Sequence, residues 1–147
     1  MDINSLLKSG KVTRVTNAVA AGTTDSNSSS VDMQGFESVM FIALFGTITA
    51  TAVTSIHAEQ SADDSTFADL ESTSISIDDD EDNMVLVLEV IKPTDRYVRC
   101  VVDRGTANAV IDGVIAIQYN ARNVPTTQDA TTVADSESHV EPDEGTV

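Results

Sequence analysis

A chain of 147 residues is long enough to bury one core of ordinary size, but with no Trp, two Tyr and four Phe that core must be built from Val, Ile, Leu and Ala. The formal net charge is −16, and between Val15 and Ile91 no Lys or Arg occurs, which argues against direct nucleic-acid binding because phosphate contacts need clustered basic residues. One cysteine, Cys100, excludes an internal disulfide.

Residues 1–11 read as an N-terminal arm, in which Ile3, Leu6 and Leu7 could close a short helical turn, although an arm docking on a neighbour is the preferred expectation. The N-terminus lacks the long apolar run of a signal peptide, so synthesis in a cytoplasm is expected. Residues 12–125 form the body. Lys11 to Ala20 alternates enough for a first strand, and Gly22 to Ser30 is a polar loop. Ser38 to Ile56 holds nineteen uncharged residues, long enough to cross a bilayer. Its Thr residues alternate with Ile, Ala and Val, and no basic residue flanks it, so two strands bent at Gly46-Thr47 are expected and no membrane span. Phe67 to Glu71 reads as a short strand or helical turn, and Thr73 to Ile77 as an edge strand.

Met84 to Arg122 is the clearest stretch. Met84 to Ile91 is nearly all apolar and β-branched, as a strand covered on both faces would be. Lys92-Pro93-Thr94-Asp95 and Asp103-Arg104-Gly105 carry turn chemistry, and the whole reads as an antiparallel meander of three strands. Residues 126–147 form a tail with six acids and no base, and its composition predicts disorder. The fold class expected is all-β, an antiparallel β-sandwich or jelly-roll-like single domain.

Asp78, Asp80, Asp82 and Glu89 fall at positions 1, 3, 5 and 12 of a calcium-loop pattern. Asn83 occupies the turn position that favours glycine, and a strand follows where a helix should, so a solvated hairpin tip is the competing reading. Cys100 would need an orienting base to act as a nucleophile. The histidines are His57, in a strand-like run, and His139, in the tail, and nothing in the sequence brings either to Cys100. Arg96 and Arg99 differ by an odd number and point to opposite faces of a strand, so with Arg104 they are expected to serve intrachain carboxylates or a subunit interface. No phosphate loop, His/Cys metal spacing or Ser-His-Asp arrangement occurs, so neither catalysis nor a cofactor is expected.

The stretches Asp32 to Val39, Phe45 to Val53 and Tyr97 to Gly113 resemble small structural proteins encoded among the head genes of tailed bacteriophages. The resemblance spans roughly residues 12–125 and carries no site motif. It implies a capsid decoration, or cement, protein: a β-sandwich body forming a homotrimer on the outer surface of the capsid, with terminal arms and the major capsid protein as partner. A head-tail connector or tail-tube ring, and a host-surface or glycan-binding sandwich, are the alternatives.

Overall fold

The computed structural model describes residues 5–146. One short helix, α1 (Leu6–Ser9), precedes eleven strands: β1 (Lys11–Thr16), β2 (Val19–Gly22), β3 (Ser26–Asn27), β4 (Val31–Asp32), β5 (Phe36–Ile48), β6 (Val53–Ser61), β7 (Ala68–Asp69), β8 (Ile75–Ile77), β9 (Val85–Ile91), β10 (Tyr97–Gly105) and β11 (Ala109–Ala121). They form two antiparallel sheets packed as a sandwich. Sheet A runs β1-β11-β5-β9, with β2 also on β11; sheet B runs β3-β10-β6-β7, with β4 on β10 and β8 on β6. The all-β sandwich expected from composition is the fold.

The core forms where the inward positions of the long strands meet. Along β5 these are Val39, Phe41, Ala43 and Phe45; along β10, Val98, Cys100 and Val102; along β11, Ile111, Val114 and Ala116. All are essentially free of solvent contact. Alternation of side chains on a pleated strand makes this possible, since residues two apart share a face.

Three sequence expectations change. First, β9, β10 and β11 are not a meander: β9 and β11 each pair with β5 in sheet A, while β10 pairs with β6 in sheet B. Each connection carries the chain across the core, because apolar faces on successive strands are buried by facing sheets as readily as by lateral pairing. Second, Gly46 lies within β5, and the bend falls at Thr49–Ala52. There Ala52 N donates to Thr49 O at 2.9 Å, Thr51 takes φ of 73°, and the Asp79 carboxylate accepts from Thr51 N. Third, β9 is not covered on both faces. It is a sheet edge whose exposure alternates, with Leu88 and Val90 buried and Val85, Val87 and Ile91 open.

Smaller features also resolve. Lys11 to Ala20 divides into β1 and β2, both on β11, with a register shift between Arg14 and Thr16. Phe67 to Glu71 contributes β7, a strand, and the expected edge strand is β8. The N-terminal segment forms the helical turn α1, capped by the Ser5 hydroxyl; Ile3 lies outside the described residues. Part of the tail docks on its own chain. Thr126 N donates to Lys8 O at 2.8 Å, Gln128 Oε1 accepts from Val12 N at 2.8 Å, and Thr132 Oγ1 accepts from Arg14 N at 3.2 Å. The last two bonds occupy donors along β1 that would otherwise form an open sheet edge.

Candidate functional site

The outer face of sheet A is built by the same alternation that fills the core. With Val39, Phe41 and Ala43 inward, Met40, Ile42 and Leu44 of β5 point out. Register then places Val85 beside Leu44, Val87 beside Ile42 and Glu89 beside Met40 on one flank. On the other flank Ile115 stands beside Ile42 and Ile117 beside Met40, with Val12 and Arg14 of β1 next to Ile117 and Ile115. Across these four strands the outward positions are mostly apolar; Arg14, Glu89 and Asp112 carry charge and Ser38 and Tyr119 are polar, in a chain with 24 acidic residues. Exposure rises towards the β9 edge: Val85 is 48% exposed, Val87 49% and Ile91 63%. At the opposite edge the tail lies over the face, where Thr132 and Val133 flank a groove shared with Leu44 and Ile115. Leu6 and Leu7 flank a second groove over Ile117. One edge of sheet A is therefore blunted by the chain's own tail, and the β9 edge is not. Open apolar patches of this kind mark interaction sites.

The residues singled out in the sequence take other places. Asp78, Asp80, Asp82 and Glu89 do not converge. Glu89 lies in mid-β9, four residues beyond Val85, which is roughly 13 Å along a strand, and its carboxylate accepts from the Tyr119 hydroxyl. Asp82 Oδ1 instead accepts from Ile48 N at 2.7 Å, and Glu81 Oε2 from Asp78 N at 2.9 Å, so carboxylates of this loop bond backbone amides. Asn83 does adopt φ of 60°, the conformation that the calcium pattern asks of its position.

Arg96, Arg99 and Arg104 all serve the chain itself. Arg96 makes a bidentate pair with Asp32, at 2.8 and 2.7 Å. That guanidinium holds the Asp32 carboxyl below its ordinary range, against a smaller opposing effect of burial. Arg99 pairs with Glu59 at 2.5 Å and stacks 4.0 Å above the Phe67 ring. Arg104 turns inward. Cys100 points into the core from β10, and burial, reinforced by the Asp103 charge, pushes its thiol up to about 12. His57 points outward from β6, on the other face of the same sheet, so the two are separated by the sheet itself.

The outer face of sheet B is polar. His57 and Glu59 lie two apart on β6, and register sets Asp69 of β7 beside Glu59. His57 Nδ1 is 2.7 Å from Asp103 Oδ2. Burial works against a charged ring there, but the Asp103 hydrogen bond and the Asp103, Asp69 and Glu59 charges together raise the His57 pKa. The sequence reading missed this grouping because Asp69 and Asp103 reach His57 only through strand register. The (i, i+2) spacing of His57 and Glu59 on a strand was the available signal.

No protein-family model matches the sequence. No curated protein matches it either. Eleven chains of solved structures do match. One is the crystal structure of the PBSX exported protein XepA, at 14% identity and a TM-score of 0.51, with 98% of this chain and 46% of that chain covered. The chain thus spans about half the length of XepA, and the likeness between the two is one of fold.

Proposed function

We propose that this chain is a structural protein of a tailed-phage virion, a capsid decoration protein that self-associates and bridges capsomers of the major capsid protein. The observation that carries the reading is the outer face of sheet A: a band of apolar side chains on β5, β9 and β11, with Arg14, Glu89 and Asp112 as its charged members, open at β9 in a chain of net charge −16. Solvation alone gives no reason to keep such a band apolar, whereas contact with another protein does. A homotrimer would bury the β9 side of the face. Lys8, Lys11 and Arg14, gathered on α1 and β1, would then lie against an acidic shell. The fold shared with an exported protein of the PBSX phage supports a phage setting.

The test is the mass of the purified protein by light scattering coupled to size exclusion, followed by co-sedimentation with phage heads stripped of decoration. A trimer that binds heads and restores their resistance to heat is expected. Val87→Lys, which places a charge in the middle of the open face, should reduce both association and head binding. A ring of six or twelve would move the assignment to a connector or tail-tube component, and a monomer that ignores stripped heads would end the proposal.

A further inference from the structure

On the opposite side of the sandwich, His57 Nε2 lies 3.4 Å from Asp69 Oδ1 and 3.8 Å from Glu59 Oε1. Among the described residues this is the group of His, Cys, Asp and Glu whose ligand atoms fall close enough to share an ion, all within 4.8 Å of one another. We propose that His57, Glu59 and Asp69 bind a divalent transition-metal ion of the zinc class.

The spacing fits such an ion. With bonds of about 2.0–2.2 Å at tetrahedral angles, ligand atoms stand roughly 3.3–3.6 Å apart; the two separations from His57 Nε2 lie within a few tenths of an ångström of that, and the Glu59 and Asp69 ligand atoms lie within 4.8 Å of each other. The scaffold is fixed. His57 and Glu59 share a face of β6, and Asp69 is held opposite Glu59 by backbone pairing between β7 and β6. The loop after β7 is tied back to the same strand, with Leu70 N donating to Ala58 O at 2.9 Å and Thr73 Oγ1 accepting from Ala58 N at 3.1 Å.

The atoms around the three ligands are arranged to orient them. Asp103 Oδ2 sits 2.7 Å from His57 Nδ1, so that Nδ1 carries the proton and Nε2 presents its lone pair to the two carboxylates. A carboxylate behind a ligating imidazole is the usual support of a metal-bound histidine. Arg99 Nε donates to Glu59 Oε2 at 2.5 Å and leaves Oε1 facing His57. Each of the two inner ligands thus has one atom anchored and the other free. An imidazole nitrogen selects zinc-class ions over calcium or magnesium, which prefer all-oxygen shells. Two carboxylates and a neutral imidazole also balance a double positive charge. His57 and Asp69 also line a cleft with Leu70, Glu71, Ser72 and Thr73, from which a further ligand could come.

The alternative for the same geometry is a protonated His57 ion-paired to its carboxylates with no metal. Titration of the full-length protein with Zn2+ by calorimetry, and with Co2+ by visible absorption, separates the two. One ion per chain is expected, with the absorption of nitrogen- and oxygen-ligated cobalt. Asp69→Asn should weaken binding at least tenfold, and because the Asp69 side chain is 77% exposed this variant keeps the fold, as circular dichroism would verify. His57→Gln should abolish the cobalt signal, and Asp103→Asn should lower affinity roughly 10- to 100-fold. No heat and no cobalt spectrum would overturn the site. So would binding that survives Asp69→Asn undiminished, since it would then belong to scattered surface carboxylates. Should His57→Gln fail to fold, the Asp69→Asn result decides alone.

Discussion

Arg104 is the side chain with the most unusual surroundings. It is 7% exposed, on an inward position of β10, and among the described residues it forms no ion pair. Its guanidinium donates instead to three backbone carbonyls: Thr24 at 2.7 Å, Ala20 at 3.0 Å and Ala109 at 2.7 Å. One side chain thereby joins β10 of sheet B to β2 and β11 of sheet A. Arginine suits the position because its planar fork offers five donors and keeps its charge when buried. Arg104→Ala would leave three carbonyls short of a donor, the Ala109 one buried and worth about 1–3 kcal/mol and the Ala20 and Thr24 ones part-buried and worth less, to which the lost packing of a buried side chain adds. Urea unfolding should show a loss of about 3 kcal/mol or more, and a loss below about 1 kcal/mol would mean that water replaces the guanidinium freely. Lysine should rescue little, since one ammonium lacks the fork that spans all three acceptors.

Among the elements, β4 depends most visibly on an ion pair. It is two residues long and meets β10 through Tyr97 and Val98. Asp32 of β4 holds Arg96, just before β10, in the bidentate pair. Because the folded Asp32 pKa lies below its ordinary 3.8, chiefly through Arg96, the pair contributes stability above that value. The contribution is lost as pH falls through the lowered folded value. Half-exposed partners make it modest and sensitive to salt. Thermal unfolding of the protein and of Asp32→Asn should therefore differ at pH 7 and converge as the pH is taken well below 3.8; a difference that persisted in acid would assign the effect to packing. The element that misled the sequence reading was β9. Its apolar run suggests burial on both faces, yet Val85, Val87 and Ile91 are open. Composition cannot separate a strand covered on both faces from an edge strand with one open apolar face, because both are built from the same β-branched residues.

At the scale of the whole molecule, the two outer faces differ. Sheet A presents Ile, Leu, Val and Met, whereas sheet B presents His57, Glu59, Arg99 and Asp103. A net charge of −16 sets copies of the chain against one another, whereas under the proposed self-association apolar contact across the face of sheet A would draw them together. Added salt screens the repulsion and leaves apolar contact intact. Self-association measured by light scattering should therefore strengthen between about 0.05 and about 0.5 M NaCl. Weakening over that range would show that ion pairs, such as those of Lys8 and Lys11, dominate the contact.

By itself the sequence determined the fold class and the long strands, but not β3, which lies in a stretch that reads as a polar loop, nor the division of Lys11 to Ala20 between β1 and β2. Alternation in β5, β8 and β11, and the polar breaks between them, follow from the two-residue period of a pleated chain. Turn chemistry at Pro93 marked where β9 ends, whereas Asp103-Arg104-Gly105, which reads as a turn in the sequence, lies within β10 and the break follows it; neither signal told which sheet the next strand would join. Only the tertiary structure decided that, because the choice between lateral pairing and crossing the core depends on all the apolar faces at once. It likewise turned Arg104 inward, separated Glu89 from the acidic loop and brought Asp69 and Asp103 to His57. Each of those contacts joins residues far apart in the chain through strand register, and register is a property of pairs of strands that no single stretch of sequence encodes.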